Sequence, residues 1–193
     1  MHALRLAPTL LCAALSLTAA GYARAQQAIS AGRVDSGTLS FDGRATMGDF
    51  TGSTTTITGE MVGGPALSAV RGWVEAPAAT LKTGNGKRDT DLNKSMESGK
   101  YEAIRYELSG VTPLGVRGDT ADVTLAGRFL IHGVTREVEF PAQVIRQGDY
   151  TRVQATTPVN LKDYRIGGLS KMLGLLKMNA EIVVHIDLVF AAM

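Results

Sequence analysis

The chain has 193 residues, 45% hydrophobic and 20% charged, with 20 Lys and Arg against 18 Asp and Glu and one cysteine. The near-neutral balance, with no Lys/Arg cluster interleaved with aromatics, excludes an electrostatic nucleic-acid binder. A lone cysteine excludes a disulfide framework, and the length is enough for one domain to hold by its core alone.

The first residues read as an address. His2 and Arg5 precede an uncharged apolar run from Leu10 to Ala20, and Ala23-Arg24-Ala25 fits the small-x-small cleavage rule. This predicts a cleaved signal peptide over 1–25 and a domain over 26–193, periplasmic or secreted. The run is too short to span a bilayer, which disfavours a retained anchor. Leu11 stands before Cys12 where a lipoprotein signal has a small residue. Cleavage would remove the only cysteine together with Arg5 and Arg24, leaving basic and acidic residues in equal number.

After a lead-in over Ala28–Gly37, Thr38–Thr46 alternates Leu39, Phe41, Gly43 and Ala45 against Ser40, Asp42, Arg44 and Thr46. Such a period of two predicts a strand. Thr51–Met61, rich in threonine, predicts a second, broken by Gly63-Gly64-Pro65. Ala69–Pro77 alternates again. Asp89–Ser98, with Leu92 and Met96 four apart, predicts a short helix, with Arg88 and Asp89 pairing or capping it. Ala103–Leu108 is a strand. Thr120–His132 and Val134–Val144 form a hairpin about the His132–Gly133 break. Leu125, Gly127, Phe129 and Ile131 share its dry face with Val134, Val138 and Phe140, and Arg136 is the one charge there. Tyr150–Leu161 is a weaker strand, and Asp163–Met178 is expected to be a connection with one or two helical turns. Glu181–Phe190 closes the chain with Ile182, Val184, Ile186, Leu188 and Phe190 on one face.

About eight antiparallel strands make a sandwich or a barrel, and closure is favoured because little edge-protecting chemistry is visible. The wet face favours a water-soluble barrel over an outer-membrane one, whose aromatic girdles are also missing. That face carries Arg71, Glu75, Arg105, Glu107, Arg128, Glu137, Glu139 and Asp187, and each Arg in lipid would cost about 2–4 kcal/mol. The expected fold is therefore mainly β: a single eight-stranded antiparallel lipocalin-like barrel with a short helix and an irregular helical connection. Small residues on its dry face (Gly43, Ala45, Gly72, Gly127) either leave volume for a ligand or mark bends, and the pattern leaves both open.

The ordered stretches Phe41–Phe50 (FDGRATMGDF), Leu81–Asp89 (LKTGNGKRD), Lys100–Tyr106 (KYEAIRY), Gly127–Val138 (GRFLIHGVTREV), Lys162-Asp163-Tyr164 and the final strand resemble the YceI-like family. These are exported, lipocalin-like polyisoprenoid-binding proteins. Tyr101-Glu102 stands where the family commonly has Tyr-Pro, and the start of the domain is shortened. The resemblance implies a lumen holding a long prenyl chain, such as a polyprenyl quinone or polyprenyl phosphate.

The lining expected for that lumen is Phe41, Val74, Ile104, Tyr106, Leu125, Gly127, Phe129, Ile131, Phe140, Val184, Ile186 and Leu188. Tyr164, Leu169, Met172 and Leu176 are expected at a mouth, alongside Leu173 and Met178, although this set also suits a cap on the core. No catalytic residue is expected. Gly84-Asn85-Gly86-Lys87 fails the phosphate-loop pattern at Leu81 and Arg88. Gly168-Leu169-Ser170-Lys171-Met172 lacks the last glycine of a nucleophile elbow. His132 and His185 have no second His or Cys at ligand spacing, so no metal is expected; His132 suits a turn. The expected function is to sequester or carry an isoprenoid lipid in the envelope, with no bond made and no cofactor beyond the lipid or quinone itself. Expected partners are that lipid and, transiently, the membrane surface or an envelope protein; oligomeric state is left open. The alternative is a filled-barrel stress or interaction module acting through its outer face.

Overall fold

The structure is a computed structural model that describes residues 29–46, 48–167, 170–171 and 176–193, with 170, 171 and 176 as backbone only. The predicted signal peptide, Leu169 and Met172 lie outside these residues.

The strands are β1 (Gly32–Gly43), β2 (Phe50–Thr54), β3 (Thr58–Val62), β4 (Arg71–Pro77), β5 (Ala103–Arg117), β6 (Thr120–Ile131), β7 (Val134–Gln147), β8 (Tyr150–Asn160), β9 (Ser170–Lys171), β10 (Leu176–Lys177) and β11 (Glu181–Ala192), with one helix, α1 (Gly86–Ser95). All pairings are antiparallel. The order β11-β8-β7-β6-β5-β4-β3-β1 closes through a β1–β11 seam into an eight-stranded barrel, with β2 an added strand on β1. Short 3-10 turns sit at Leu67–Ala69, Ala78–Thr80 and Leu161–Tyr164.

Period-two alternation explains most of this. In β6 the buried positions are Ala121, Val123, Leu125, Gly127, Phe129 and Ile131, and the alternate positions, among them Thr120, Asp122, Thr124 and Arg128, face out. The outer face carries cross-strand charge pairs. Arg105 Nη1 donates to Glu75 and Arg105 Nε to Glu107, both at 3.1 Å, and Arg128 Nη2 donates to Glu107 at 2.7 Å. Each exposed pair contributes only about 0.2–1 kcal/mol, so the apolar interior carries the stability.

Five expectations are corrected. The first strand begins at Gly32, inside the expected lead-in, because Gly32 and Arg33 already find partners on both β3 and β11. Thr51–Met61 is two strands: β2 pairs with the second half of β1 and β3 with its start, so the chain must step between them at residues 55–57. β5 runs on to Arg117, past the reach of β4, which pairs with it only up to Leu108. The edge left beyond is blunted by register shifts at Leu108/Gly110 and Pro113/Gly115 and by Pro113 itself, edge protection that alternation alone does not reveal. The helix starts at Gly86 rather than Asp89, since Asn85 accepts from the Lys87 and Arg88 amides as N-cap. Finally, the helical character expected over Asp163–Met178 is, among the described residues, limited to the turn at Leu161–Tyr164. Beyond it β9 and β10 pair with each other.

The connections divide by end. The described residues of 44–49, 78–102, 132–133 and 161–180 lie between strands at one end, hereafter the α1 end, while 63–70, 118–119 and 148–149 lie at the other. At the α1 end His132 and Gly133 hold φ of 52° and 71°, the left-handed pair that a two-residue hairpin turn needs. His132 is buried. Its Nδ1 donates to the Tyr164 carbonyl at 3.0 Å, its Nε2 lies 3.3 Å from Glu97, and Tyr101 packs on the ring at 4.4 Å between centroids. One side chain thus ties the hairpin, the 3-10 turn and the segment after α1 together. Arg136, the charge on the dry face, sits at this end and donates to the Asp163 carbonyl.

Candidate ligand-binding lumen

The interior is hollow. A cavity of about 700 Å³ runs from Ile29, Leu67 and Val70 at one end to α1 at the other, within the range of small-molecule sites. The burial pattern gives the reason. Leu39, Val74, Ile104, Tyr106, Leu108, Val153, Val184 and Ile186 point inward by alternation and border the cavity, yet each stays only partly buried. Inward side chains of a packed barrel would be fully covered. Phe129 and Phe140 stack at 5.8 Å with planes 3° apart, and Tyr106 leans on both at 5.0 and 5.4 Å. They form an aromatic wall.

The polar side chains that reach the cavity gather at the α1 end, at Thr46, Asn85, Lys87, Arg88, Asp91, Ser95 and Lys177. Ser40, Glu60, Arg71 and Arg105 border it from strand positions whose side chains alternate outward. α1 itself has no buried residue. It is held by Asp89, which accepts from both the amide and hydroxyl of Thr83 at 2.7 Å, and by Arg88, whose guanidinium lies 4.3 Å over the Phe50 ring. β2 presents a free edge here, touched at Ser53, which exchanges two backbone hydrogen bonds with Lys82.

Residues 33–190 match the family model of the YceI-like domain. The chain belongs to the YceI-like family. No curated protein matches the sequence significantly. Among solved structures, this YceI-like barrel is similar to a polyisoprenoid-binding domain from Saccharophagus degradans implicated in plant cell wall breakdown. The TM-score is 0.71 at 17% identity, over 86% of this chain and 100% of that one. It is also similar to Burkholderia cenocepacia BcnA, with TM-score 0.67 and 15% identity over 81% and 98% of the two chains. Campylobacter jejuni YceI protein gives TM-score 0.59 and 15% identity over 74% and 84%. At these identities the likeness shows a shared fold.

Of the lining expected from sequence, Phe41, Val74, Ile104, Tyr106, Leu125, Phe129, Ile131, Phe140, Val184, Ile186 and Leu188 all border the cavity of this YceI-like barrel. Gly127 does not. A Cβ there would stand 2.7 Å from the Tyr106 ring and hydroxyl, so the ring lies over the glycine and occupies its space. Gly43 is covered by Phe50 and Gly52 by Phe41 in the same way. Gly43 and Gly127 thus mark aromatic covering rather than open volume, whereas Gly72 borders the cavity and a Cβ there would meet the Glu60 carbonyl oxygen at 2.5 Å. Tyr164 is not on the mouth either. It is buried beneath the His132 hub, where its carbonyl accepts the histidine. Leu176 is seen as backbone in β10. Ala45 and Met178, paired across an isolated bridge, do border the cavity at the α1 end. Sequence reasoning missed Leu39 and Leu108, although each stands two residues from a recognised inward position, and it missed Val153 and Ala155 on a strand to which it assigned no inward face. It also missed the α1 rim, whose place depends on how the long connection folds back.

Two outcomes are expected here. The Tyr106 hydroxyl is buried with no hydrogen-bond partner among the described residues, and burial drives its pKa far above the usual phenol value. It therefore stays protonated and unsatisfied, at a cost of about 1–3 kcal/mol. Tyr106→Phe should raise the unfolding free energy of the empty barrel by about 1 kcal/mol in denaturant titration, and a loss instead would reveal a hidden partner. Asp89 has its pKa held below the usual 3.8 by its bonds from Thr83. A carboxylate with a lowered folded pKa stabilises at pH above the unfolded value, and that contribution is lost as pH falls through the folded one. Melting curves of wild type and Asp89→Asn should differ at about pH 6–7 and converge only as the pH falls below the unfolded value and through the lowered folded one.

Proposed function

We propose that this domain binds a polyisoprenoid lipid in its lumen and shields it from water, as a carrier or sequestering protein that makes and breaks no bond. The observation that carries this reading is the apolar lumen whose inward side chains remain uncovered. Hydrocarbon fills such space at about 0.8 kcal/mol per CH₂, so one isoprene unit is worth about 4 kcal/mol before association costs. A few units then bind tightly without a polar anchor. Family membership and the likeness to a polyisoprenoid-binding domain support the choice of lipid. The apolar run over Leu10–Ala20 and the cleavage pattern ending at Ala25 support export after cleavage, with the working domain at 26–193 in the periplasm or outside the cell. The lining set and the α1-end mouth are the proposed contacts.

The test is native mass spectrometry of the protein purified from its own envelope, followed by extraction and lipid identification. A stoichiometric prenyl lipid is the expected result. Protein at apo mass that also refuses added polyprenyl quinone would overturn the reading and leave the outer face as the working surface.

A further inference from the structure

The inward positions of β7 run Phe140, Ala142, Val144 and then Arg146. Alternation therefore puts a guanidinium in the last inward layer at the end opposite α1. Its cross-strand neighbour there is Thr151 of β8, which pairs in turn with Phe190 of β11. Gly32 of β1 and Met61 of β3, paired with each other, continue the layer. These residues border a second cavity of about 360 Å³, at the small end of the range for small-molecule sites. Ile29, Met61 and Phe190 border the lumen as well, so their side chains stand between the two spaces. Backbone bonds fix the rim. Ile29 and Gly64 exchange two at 2.9 Å, the Ala192 amide donates to the Asp149 carbonyl at 2.8 Å, and the Met193 amide donates to the Ala31 carbonyl at 3.1 Å.

The polar lining has two signs. Arg146 is partly buried and Thr151 is buried, and neither side chain has a bonding partner among the described residues. Asp149, in the turn between β7 and β8, brings an equally unpartnered carboxylate to the same cavity. The two opposite charges thus border one space without bonding to each other. A simple anion there is repelled by Asp149 and a simple cation by Arg146. A ligand carrying both charges satisfies both. The planar fork of Arg146 takes a carboxylate in two parallel bonds, with the Thr151 hydroxyl beside it. Asp149 accepts from an ammonium, and Ile29, Met61 and Phe190 offer an apolar floor to the rest of the molecule. We propose that this end of the barrel holds a binding site for a small zwitterion of the α-amino-acid class with an apolar side chain. The site is separate from the lumen and does not rest on the lipid reading.

The test is calorimetric titration with L-leucine, with 4-methylpentanoate, which lacks the ammonium, and with 3-methylbutylamine, which lacks the carboxylate. Leucine is expected to bind at least about tenfold more tightly than either. In Arg146→Gln the preference over the amine should fall below about threefold, and in Asp149→Asn the preference over the acid should fall likewise. Arg146→Lys, which keeps the charge and loses the fork, should give an intermediate ratio and carries the test if Arg146→Gln does not fold. Ile186→Trp, which narrows the lumen, should bind leucine as wild type does. No binding of leucine up to about 10 mM, 4-methylpentanoate bound as tightly as leucine, or ratios that survive in the variants would overturn the proposal. So would loss of leucine binding in Ile186→Trp, which would place the ligand in the lumen.

Discussion

Replacing Gly127 by alanine is expected to cost at least about 3 kcal/mol of stability, and replacing it by valine to leave no folded protein, as read by circular dichroism and thermal melting. The added Cβ would stand 2.3 Å from the Glu107 carbonyl oxygen as well as 2.7 Å from the Tyr106 ring. The ring can swing away, but the carbonyl belongs to the paired strand. That makes the double variant Tyr106→Ala/Gly127→Ala no better than the single one. Gly127 sits opposite Leu108, where the β5–β6 register shifts before Gly110, and a close approach beside a bulge is a place that only glycine fits. Gly110→Ala is the matched control: its nearest neighbour would be the Ala126 Cβ at 3.8 Å, so it should be tolerated. A Gly127→Ala variant as stable as wild type would mean that the backbones can separate there. Filling the lumen from this position, attractive from the sequence pattern, is therefore the wrong experiment.

The right one uses the partly covered wall. Ile186 borders the cavity on β11, between Leu39 of β1 and Ala155 of β8, and Leu108 borders it on β5. Ile186→Trp with Leu108→Trp should place two indoles in empty space rather than in packed core, leaving the melting temperature unchanged or raised. If together they displace one isoprene unit, about 4 kcal/mol of burial is forfeited, which is about a thousandfold in affinity. Undiminished uptake of polyprenyl quinone by the folded double variant would place the lipid elsewhere on the protein. Either substitution alone should give a smaller loss, and the two losses should couple because both act on one volume.

What the sequence reveals and what it hides follows from the range of the forces involved. In β6, β7 and β11 a strand buried on one face writes its orientation every second residue, so Leu125, Phe129, Phe140, Val184 and Ile186 are legible as inward from alternation alone. Whether that inward face meets a packed core is not legible, because it depends on the distance across the barrel. The role of Gly127 is misread for a related reason: the ring that covers it is Tyr106, on another strand. Asn85 is legible as a turn residue but not as a helix cap, since Asn-Gly serves both purposes and the choice falls to the fold of residues 78–102. The step between β2 and β3 is invisible in a threonine-rich run that suits a strand throughout. Tyr164 is drawn to the mouth by its sequence proximity to apolar residues, whereas the bond from His132, 32 positions away, pulls its backbone inward.

The seam between β1 and β11 has a further consequence for biogenesis. Gly32 pairs with Ala192 and Asp42 with Val183, so the first strand of the barrel waits for the last. A nascent chain released only as far as β8 is a curved sheet whose β1 and β8 edges are both open, and it has no inside. Such long-range pairing is slow and exposes edges while it is pending. The lumen comes into being in one closing event, after β11 has been made. If it holds a lipid as proposed, that lipid is taken up at closure or afterwards, not during synthesis of the earlier strands.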